Sequence, residues 1–139
     1  MKLRKKINYK HKQVMLVDDN ELDNFINEKI IESSEFAEKI YINTSSQSAL
    51  EFLKNIDLID LENTNVFPDI IFIDLNMPII DGFQFIEALN EIESDRVKKC
   101  RRVILTSSVH PEDRLKAESI SGDILFINKP LTKDILATI

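Results

Sequence analysis

Five short apolar runs, rich in β-branched residues, are separated by segments with helical periodicity, and this pattern constrains the fold of the chain most. Within each run apolar and polar residues do not alternate, which is typical of strands buried on both faces. Strands that take turns with helices predict parallel pairing through right-handed crossovers. We therefore predict an α/β fold, a three-layer sandwich around a doubly wound parallel sheet of five strands. The predicted strands are Val14–Val17, Ile40–Ile42, Ile70–Ile73, Val103–Leu105 and Ile124–Ile127.

Apolar residues at helical spacing predict five helices between and after these strands. The first begins after Asn20, a typical N-cap residue, with Glu21 and Asp23 in its first turn. The fourth begins with Pro111 at its first position. The segments 57–67 and 90–99 are predicted to be surface connections. The apolar stripes of the helices are Leu22, Phe25, Ile26 and Ile30; Ala49, Leu50 and Leu53; Phe85, Ile86, Leu89 and Ile92; Leu115 and Ile120; and a last helix from Leu131.

The charge of the chain is divided unevenly along its length. The first 13 residues carry six basic side chains and no acid, and the remainder carries −12, which gives the net charge of −6. An acidic body disfavours nucleic acid as a partner, because binding to nucleic acid needs a basic surface. We predict that residues 1–13 form a basic N-terminal tail without a function of its own.

The remaining composition is that of an ordinary globular domain. A length of 139 residues suits one domain, and 43% of the residues are apolar. No apolar run approaches the ~20 residues that span a bilayer, so membrane insertion is not expected. Cys100 is the only cysteine, which excludes an internal disulfide and predicts a cytoplasmic location.

Polar side chains collect at the carboxyl ends of the predicted strands. In a doubly wound sheet these ends share one edge, and ligands bind there, beside the point where the strand order reverses. The chain has only two glycines, which excludes a Gly-rich nucleotide loop. The residues that follow strands one, three, four and five are Asp18 and Asp19, then Asp74, then Thr106 and Ser107, and finally Asn128 and Lys129.

Three carboxylates at one edge repel one another, and a cation resolves this conflict. Oxygen ligands favour Mg²⁺, which binds one or two carboxylates together with water and a substrate phosphate. His11 and His110 stand alone in the sequence, so no zinc pattern exists. Lys129 is placed to hold phosphate oxygens or an ionised Asp74, and Thr106 adds a hydroxyl. These are the components of phosphoryl transfer to a carboxylate, although an acidic pair after a strand is also often a helix N-cap.

The order of these motifs resembles that of the receiver domains of two-component response regulators. The resemblance extends over nearly the whole chain and implies that residues 14–139 form a receiver domain. It implies a flavodoxin-like fold in which the five strands lie in the order 2-1-3-4-5. The matching stretches are Val17–Asp19, Ile73–Pro78 followed by Asp81 and Gly82, Leu105–Ser107, and Asn128–Pro130.

The resemblance implies a role for each residue at the predicted edge. Asp74 is expected to accept a phosphoryl group from a histidine kinase or a histidine phosphotransfer protein. Asp19 is expected to bind Mg²⁺ directly and Asp18 through a water molecule, with Asp74 and the backbone carbonyl of Asn76 as further ligands. Lys129 is expected to bind a phosphate oxygen.

The same resemblance implies phosphate contacts and a switch near the end of the fourth strand. Thr106 and Ser107 would contact the phosphoryl group. Thr106 would move toward it and Phe126 would follow inward, a population shift that the surface of the fourth helix, fifth strand and fifth helix transmits. A cis peptide is implied between Lys129 and Pro130. The chain departs from the family pattern at Ser107, where Ala or Gly is common, and at Phe126, which replaces a frequent Tyr.

Only nine residues follow Pro130 and no output domain is expected, so the predicted module acts by binding a downstream protein partner and not as an enzyme. Two alternatives are weighed against this hypothesis. A receiver-like scaffold that never takes phosphate usually lacks the acidic pair, the lysine or the acceptor, and all of these are present. A hydrolase that forms an aspartyl phosphate would need a second aspartate at position 20, which is Asn20 here.

Overall fold

The computed structural model describes residues 7–59 and 66–139. Five strands and six helices follow one another in this part of the chain, and none of these helices combines the length and the apolar content needed to cross a bilayer. In chain order the elements are β1 (His11–Val17), α1 (Glu21–Ser33), β2 (Ala37–Asn43), α2 (Ser46–Ile59), β3 (Ile70–Ile73), α3 (Gly82–Glu91), α4 (Asp95–Lys99), β4 (Arg101–Thr106), α5 (Pro111–Ile120), β5 (Leu125–Asn128) and α6 (Lys133–Thr138).

The five strands form one parallel sheet in the order β2-β1-β3-β4-β5. This order confirms the predicted doubly wound, flavodoxin-like topology, in which the strand order reverses between β1 and β3. Val17 lies opposite Ile73 in the register of β1 and β3, and Thr106 lies opposite Asn128 in the register of β4 and β5. The carboxyl ends of neighbouring strands are therefore level with one another at one edge of the sheet.

Alternate residues of the strands point to opposite faces of the sheet and pack into two separate cores. One core contains residues of α2, α3, α4 and α5, and the other contains residues of α1 and α6. In β3, Ile71 and Ile73 belong to the first core, whereas Ile70 and Phe72 belong to the second. All four are at most 2% exposed, which explains why this run is continuously apolar. The predicted three-layer sandwich is confirmed.

β1 begins at His11, three residues before the predicted start at Val14. The backbone N–H of His11 donates to the carbonyl of Phe36 over 2.9 Å, and pairing with β2 continues from there. The last three residues of the predicted tail, 1–13, thus belong to the sheet. Backbone pairing does not need the apolar side chains by which the strand was predicted. Residues 1–6 of the predicted tail lie outside the described residues.

α1 turns a different face to the sheet from the predicted one. The predicted stripe residues Leu22, Phe25 and Ile26 are 66%, 57% and 42% exposed. Asn24 gives the physical reason, because its side-chain Nδ2 donates to the backbone carbonyl of Asp18 over 2.8 Å. The inward face of this helix meets the polar edge of the sheet, so apolar periodicity alone selects the wrong face. The buried residues of α1 are Asn24, Asn27 and Ile31.

The predicted stripes of α2 and α3 are confirmed, whereas the connections and the fourth predicted helix need correction. The helix α2 continues to Ile59, so the predicted connection 57–67 begins inside it, and residues 60–65 lie outside the described part.

The predicted connection 90–99 contains a separate short helix, α4, whose Val97 joins the first core together with Cys100. Helix α5 begins at Pro111 as predicted, but Leu115 is 64% exposed and Ala117 is buried in its place.

Gly82 opens α3 where this helix approaches the backbone at the end of β3. A Cβ atom on Gly82 would lie 2.4 Å from the carbonyl oxygen of Asp74 and 2.8 Å from the Cα atom of Leu75. Both are backbone atoms that cannot rotate away. The absence of a side chain therefore allows α3 to begin directly against the residue that the sequence predicts as the centre of the site.

We expect Gly82→Ala to lower the free energy of unfolding by about 2 kcal/mol or more, because the added methyl group overpacks rigid backbone. Urea unfolding monitored by circular dichroism measures this change. Gly122→Ala is the matched control, since a Cβ there meets no atom within 4 Å. The control should be neutral or up to about 1 kcal/mol more stable. Equal losses in the two variants would contradict the close-approach explanation.

Candidate functional site

The register of the sheet brings the predicted carboxylates together. Asp18 and Asp19 follow β1, Asp74 follows β3, and the backbone N–H of Asp74 donates to the carbonyl of Val17 over 3.0 Å. One carboxylate oxygen from each of the three aspartates lies within 4.8 Å of the other two. Asp18 and Asp74 are 4% and 6% exposed, whereas Asp19 is exposed. The cluster therefore opens to solvent on the side of Asp19.

The environment of the Asp74 carboxyl group disfavours its charged form. Burial raises its pKa above the usual range, and the neighbouring Asp18 raises it further. Lys129, the backbone of Asn76 and the hydroxyl of Thr106 lower the pKa without cancelling this rise. The Oδ1 atom is buried and has no hydrogen-bond partner among the described residues. A buried carboxylate oxygen of this kind is suited to bind a cation.

Lys129 follows β5 and faces the carboxylates. Its Nζ atom lies 2.7 Å from Oδ2 of Asp18, 2.8 Å from Oδ2 of Asp23 and 3.8 Å from Oδ1 of Asp74. Burial alone would lower the pKa of Lys129, but hydrogen bonds with Asp18 and Asp23 and the charge of Asp74 outweigh it and raise the pKa. The peptide between Lys129 and Pro130 is cis, as the family resemblance implied.

Asp23 is a residue of this site that sequence reasoning missed. The pattern predicts only an acid in the first turn of α1, where it interacts favourably with the helix dipole. Its carboxylate instead bonds to Lys129, which is 106 positions away in the chain. One signal could have found it: α1 starts almost directly from the carboxyl end of β1, so its first turn lies at the same edge as the carboxylates.

The hydroxyl residues after β4 divide into buried and exposed ones. Thr106 is fully buried, and its Oγ1 accepts a hydrogen bond from the backbone N–H of Ser108 over 3.2 Å. Ser107 is exposed, and its side chain makes no hydrogen bond with the described residues. Ser108 is buried and its hydroxyl donates to Asp113 of α5, while Nδ2 of Asn128 donates to the carbonyl of Ser108. The end of β4 is thus connected to both α5 and β5.

Phe126, the predicted switch aromatic, lies half-buried on β5 and packs against the first core. The guanidinium of Arg114 lies 4.7 Å from the centroid of its ring, within the range of a cation–π contact. Its register partner on β4 is Ile104, two residues before Thr106. The two predicted switch residues therefore lie on neighbouring strands, and Phe126 contacts Arg114 of α5.

The donor atoms of the carboxylate cluster suit Mg²⁺. Asp18, Asp19 and Asp74 supply only oxygen, which hard cations such as Mg²⁺ prefer. Oδ1 of Asp74 is buried, has no hydrogen-bond partner among the described residues and lies 3.8 Å from the ammonium of Lys129, so a divalent cation would satisfy it. Asn76, the fourth predicted ligand, is exposed in the connection between β3 and α3, two residues after Asp74.

Comparison with known proteins agrees with this fold. The family model described as the response regulator receiver domain matches residues 14–139. The chemotaxis protein CheY of Halobacterium salinarum is 28% identical over 123 residues, which cover 88% of each chain. The sensor histidine kinase CheAY of Helicobacter pylori is 29% identical over 126 residues, which cover 91% of this chain and 14% of the kinase.

A solved structure shows the same architecture over nearly the full length of both chains. The two component response regulator from Cytophaga hutchinsonii is 32% identical and has a TM-score of 0.80, with 91% of this chain and 92% of that chain covered. The match of the family model runs from within the first strand to the end of the last helix. The chain therefore belongs to the receiver domains of two-component response regulators, a family of phosphoacceptor signalling modules.

Proposed function

We propose that the chain accepts a phosphoryl group on Asp74 and then changes its affinity for a protein partner. The observation that carries this proposal is the environment of the Asp74 carboxylate: it is buried beside Asp18, close to the ammonium of Lys129, and has one oxygen without a hydrogen-bond partner among the described residues. Positive charge positioned in advance stabilises the charge that a phosphoryl group brings. The module is proposed to act by binding, not as an enzyme.

The proposed donor is the phosphohistidine of a histidine kinase or a histidine phosphotransfer protein. A carboxylate oxygen of Asp74 forms a bond to phosphorus while the bond between phosphorus and the imidazole nitrogen breaks. The imidazole keeps the electron pair and takes a proton from solvent. The similarity to a segment of the kinase CheAY supports such a donor. Leu22 and Phe25 are exposed on α1, which begins beside the carboxylate cluster, and offer a protein donor apolar surface.

Mg²⁺ is the proposed cofactor. The carboxylates of Asp18, Asp19 and Asp74 and the backbone carbonyl of Asn76 would hold it. When bound, it would neutralise negative charge on the transferred phosphoryl group. The buried Oδ1 of Asp74, which has no hydrogen-bond partner among the described residues, would be one of its ligands.

The other proposed phosphate contacts come from the ends of β4 and β5. Lys129 would bind one phosphoryl oxygen through its ammonium, and Thr106 and Ser107 would donate hydroxyl hydrogens to others. Thr106 would move toward the phosphoryl group and Phe126 would turn inward with it. A downstream protein partner would detect this change on the surface formed by α5, β5 and α6.

We expect the wild-type chain to gain the mass of one phosphoryl group when it is incubated with acetyl phosphate and Mg²⁺, and we expect Asp74→Asn to gain none. The amide cannot act as the nucleophile, although it keeps the shape of the side chain. Intact mass spectrometry measures the gain. Asp69→Asn is the matched control, because Asp69 lies at the other end of β3 and pairs with His11. Labelling of Asp74→Asn, or loss of labelling in the control, would contradict the assignment.

Removal of Mg²⁺ with EDTA should stop the labelling of the wild type. Asp19→Asn should weaken Mg²⁺ binding by about tenfold or more, because it removes one anionic ligand from an exposed position. Calorimetric titration is the suitable measurement, since the chain contains no tryptophan for a fluorescence assay. Glu21→Gln removes an exposed charge from the first turn of α1 and should leave the affinity within about twofold. Undiminished labelling in EDTA would exclude the metal.

Asp74→Asn should also be more stable than the wild type at pH 7 in the absence of metal. Because the pKa of Asp74 is raised in the folded state, protonation of its carboxyl group stabilises the fold. This stabilisation is complete below the unfolded pKa of about 3.9 and is lost as the pH rises through the folded pKa. The difference between variant and wild type should therefore shrink as the pH falls toward about 4. Urea unfolding at a series of pH values, with Glu51→Gln on the exposed face of α2 as control, tests this sign. A difference that grows in acid would contradict the raised pKa.

A further inference from the structure

The ammonium of Lys129 faces three carboxylates, and its distances to them differ. Its Nζ atom lies at hydrogen-bond distance from Asp18, 2.7 Å, and from Asp23, 2.8 Å, whereas Asp74 lies at 3.8 Å. An ammonium has three donor hydrogens, and two of them are engaged by the short contacts. A nitrogen to oxygen distance of 3.8 Å is too long for a hydrogen bond. The ammonium of Lys129 is therefore held too far from Asp74 for a hydrogen bond, although it is expected to bind a phosphoryl group on that residue.

The two short partners differ in what else they do. Asp18 follows β1 and belongs to the carboxylate cluster that suits a divalent cation, whereas Asp23 lies on α1 and is not part of that cluster. The side chain of Asp23 is 35% exposed, compared with 6% for Asp18. Asp23 is thus not a candidate ligand of the cation, and among the described residues its carboxylate contacts Lys129.

We propose that Asp23 is a positioning residue that restrains Lys129 and thereby slows the phosphorylation of Asp74. This inference rests on the proposed function of Asp74. For Lys129 to reach a phosphoryl oxygen, its ammonium must leave the carboxylate of Asp23. A phosphoryl group carries between one and two negative charges and can draw the ammonium away once it is bound. Before transfer, the contact with Asp23 opposes this movement and adds to the barrier.

Asp23 also stabilises α1 as an acid in its first turn, and this structural effect must be separated from the effect on Lys129. Glu21 allows the separation, because it is an exposed acid in the same turn and makes no ion pair with the described residues. Glu21→Gln removes the same charge from the same turn without touching Lys129. It is the matched control for Asp23→Asn.

We expect the rate constant for phosphorylation of Asp23→Asn by acetyl phosphate, at saturating Mg²⁺, to exceed that of the wild type about fivefold. This factor corresponds to the roughly 1 kcal/mol of a partly exposed ion pair. Transfer forms the bond between phosphorus and a carboxylate oxygen of Asp74, breaks the bond between phosphorus and the acetyl oxygen, and releases acetate. The gain of mass with time measures the rate.

Two further comparisons separate positioning from a general loss of negative charge. Long-range repulsion of the anionic donor is screened at about 1 M salt, so any acceleration in Glu21→Gln should vanish there, while that of Asp23→Asn should persist because its pair is partly buried. Asp23→Glu keeps the charge on a side chain that is longer by one methylene group and still able to reach Lys129, so it should keep the slow rate of the wild type. Equal acceleration of Asp23→Asn and Glu21→Gln in high salt would overturn the proposal.

A crystal structure of metal-free Asp23→Asn supplies a readout that does not depend on phosphorylation. The Nζ atom of Lys129 should move from 3.8 Å to about 3 Å from Oδ1 of Asp74. A lysine that stays in place would overturn the proposal, even if the wild type is labelled normally. If neither chain is labelled but the lysine moves, the proposed function of Asp74 fails and the restraint by Asp23 stands.

Discussion

The repulsion between two buried carboxylates is the constraint on which the rest of the site depends. Asp18 and Asp74 follow neighbouring strands whose register is fixed by backbone pairing, so neither can retreat from the other. Burial deprives both of water that would otherwise screen the repulsion. The ammonium of Lys129, the hydroxyl of Thr106 and an all-oxygen cation site are each a partial answer to this one conflict. The chemistry of the edge therefore follows from the geometry of the parallel sheet.

The sequence was sufficient to predict the sheet and the location of the site. Continuous β-branched runs such as Ile70–Ile73 occur because each strand contributes to two cores, and this pattern is local and easily recognised. Once the strands are parallel, their carboxyl ends must share an edge, and the residues after them must meet. For this reason the sequence alone predicts that the carboxylates, Thr106 and Lys129 lie at one edge, whereas it does not predict the direction of each side chain.

The wrong or missed predictions share one physical cause. Contacts between distant parts of the chain, and not the apolar pattern of a segment alone, decide which of its side chains face inward. Asn24 faces inward on α1 because the carbonyl of Asp18 needs a donor, and Leu22 and Phe25 are turned outward as a result. Asp23 meets Lys129 for a reason of the same kind, since the meeting depends on where α1 and the end of β5 converge. Short elements such as α4 carry too few apolar residues for a period to be visible, and only the packing of Val97 reveals its place.

The burial of Cys100 has a consequence for the conditions under which this module can operate. It is the only cysteine of the chain, it is 3% exposed in the first core, and burial raises the pKa of its thiol to about 12. Oxidants attack the thiolate form, and this form is almost absent at neutral pH when the pKa is so high. The folded domain thus presents no reactive sulfhydryl to peroxide, and Cys100 does not make it sensitive to oxidative stress.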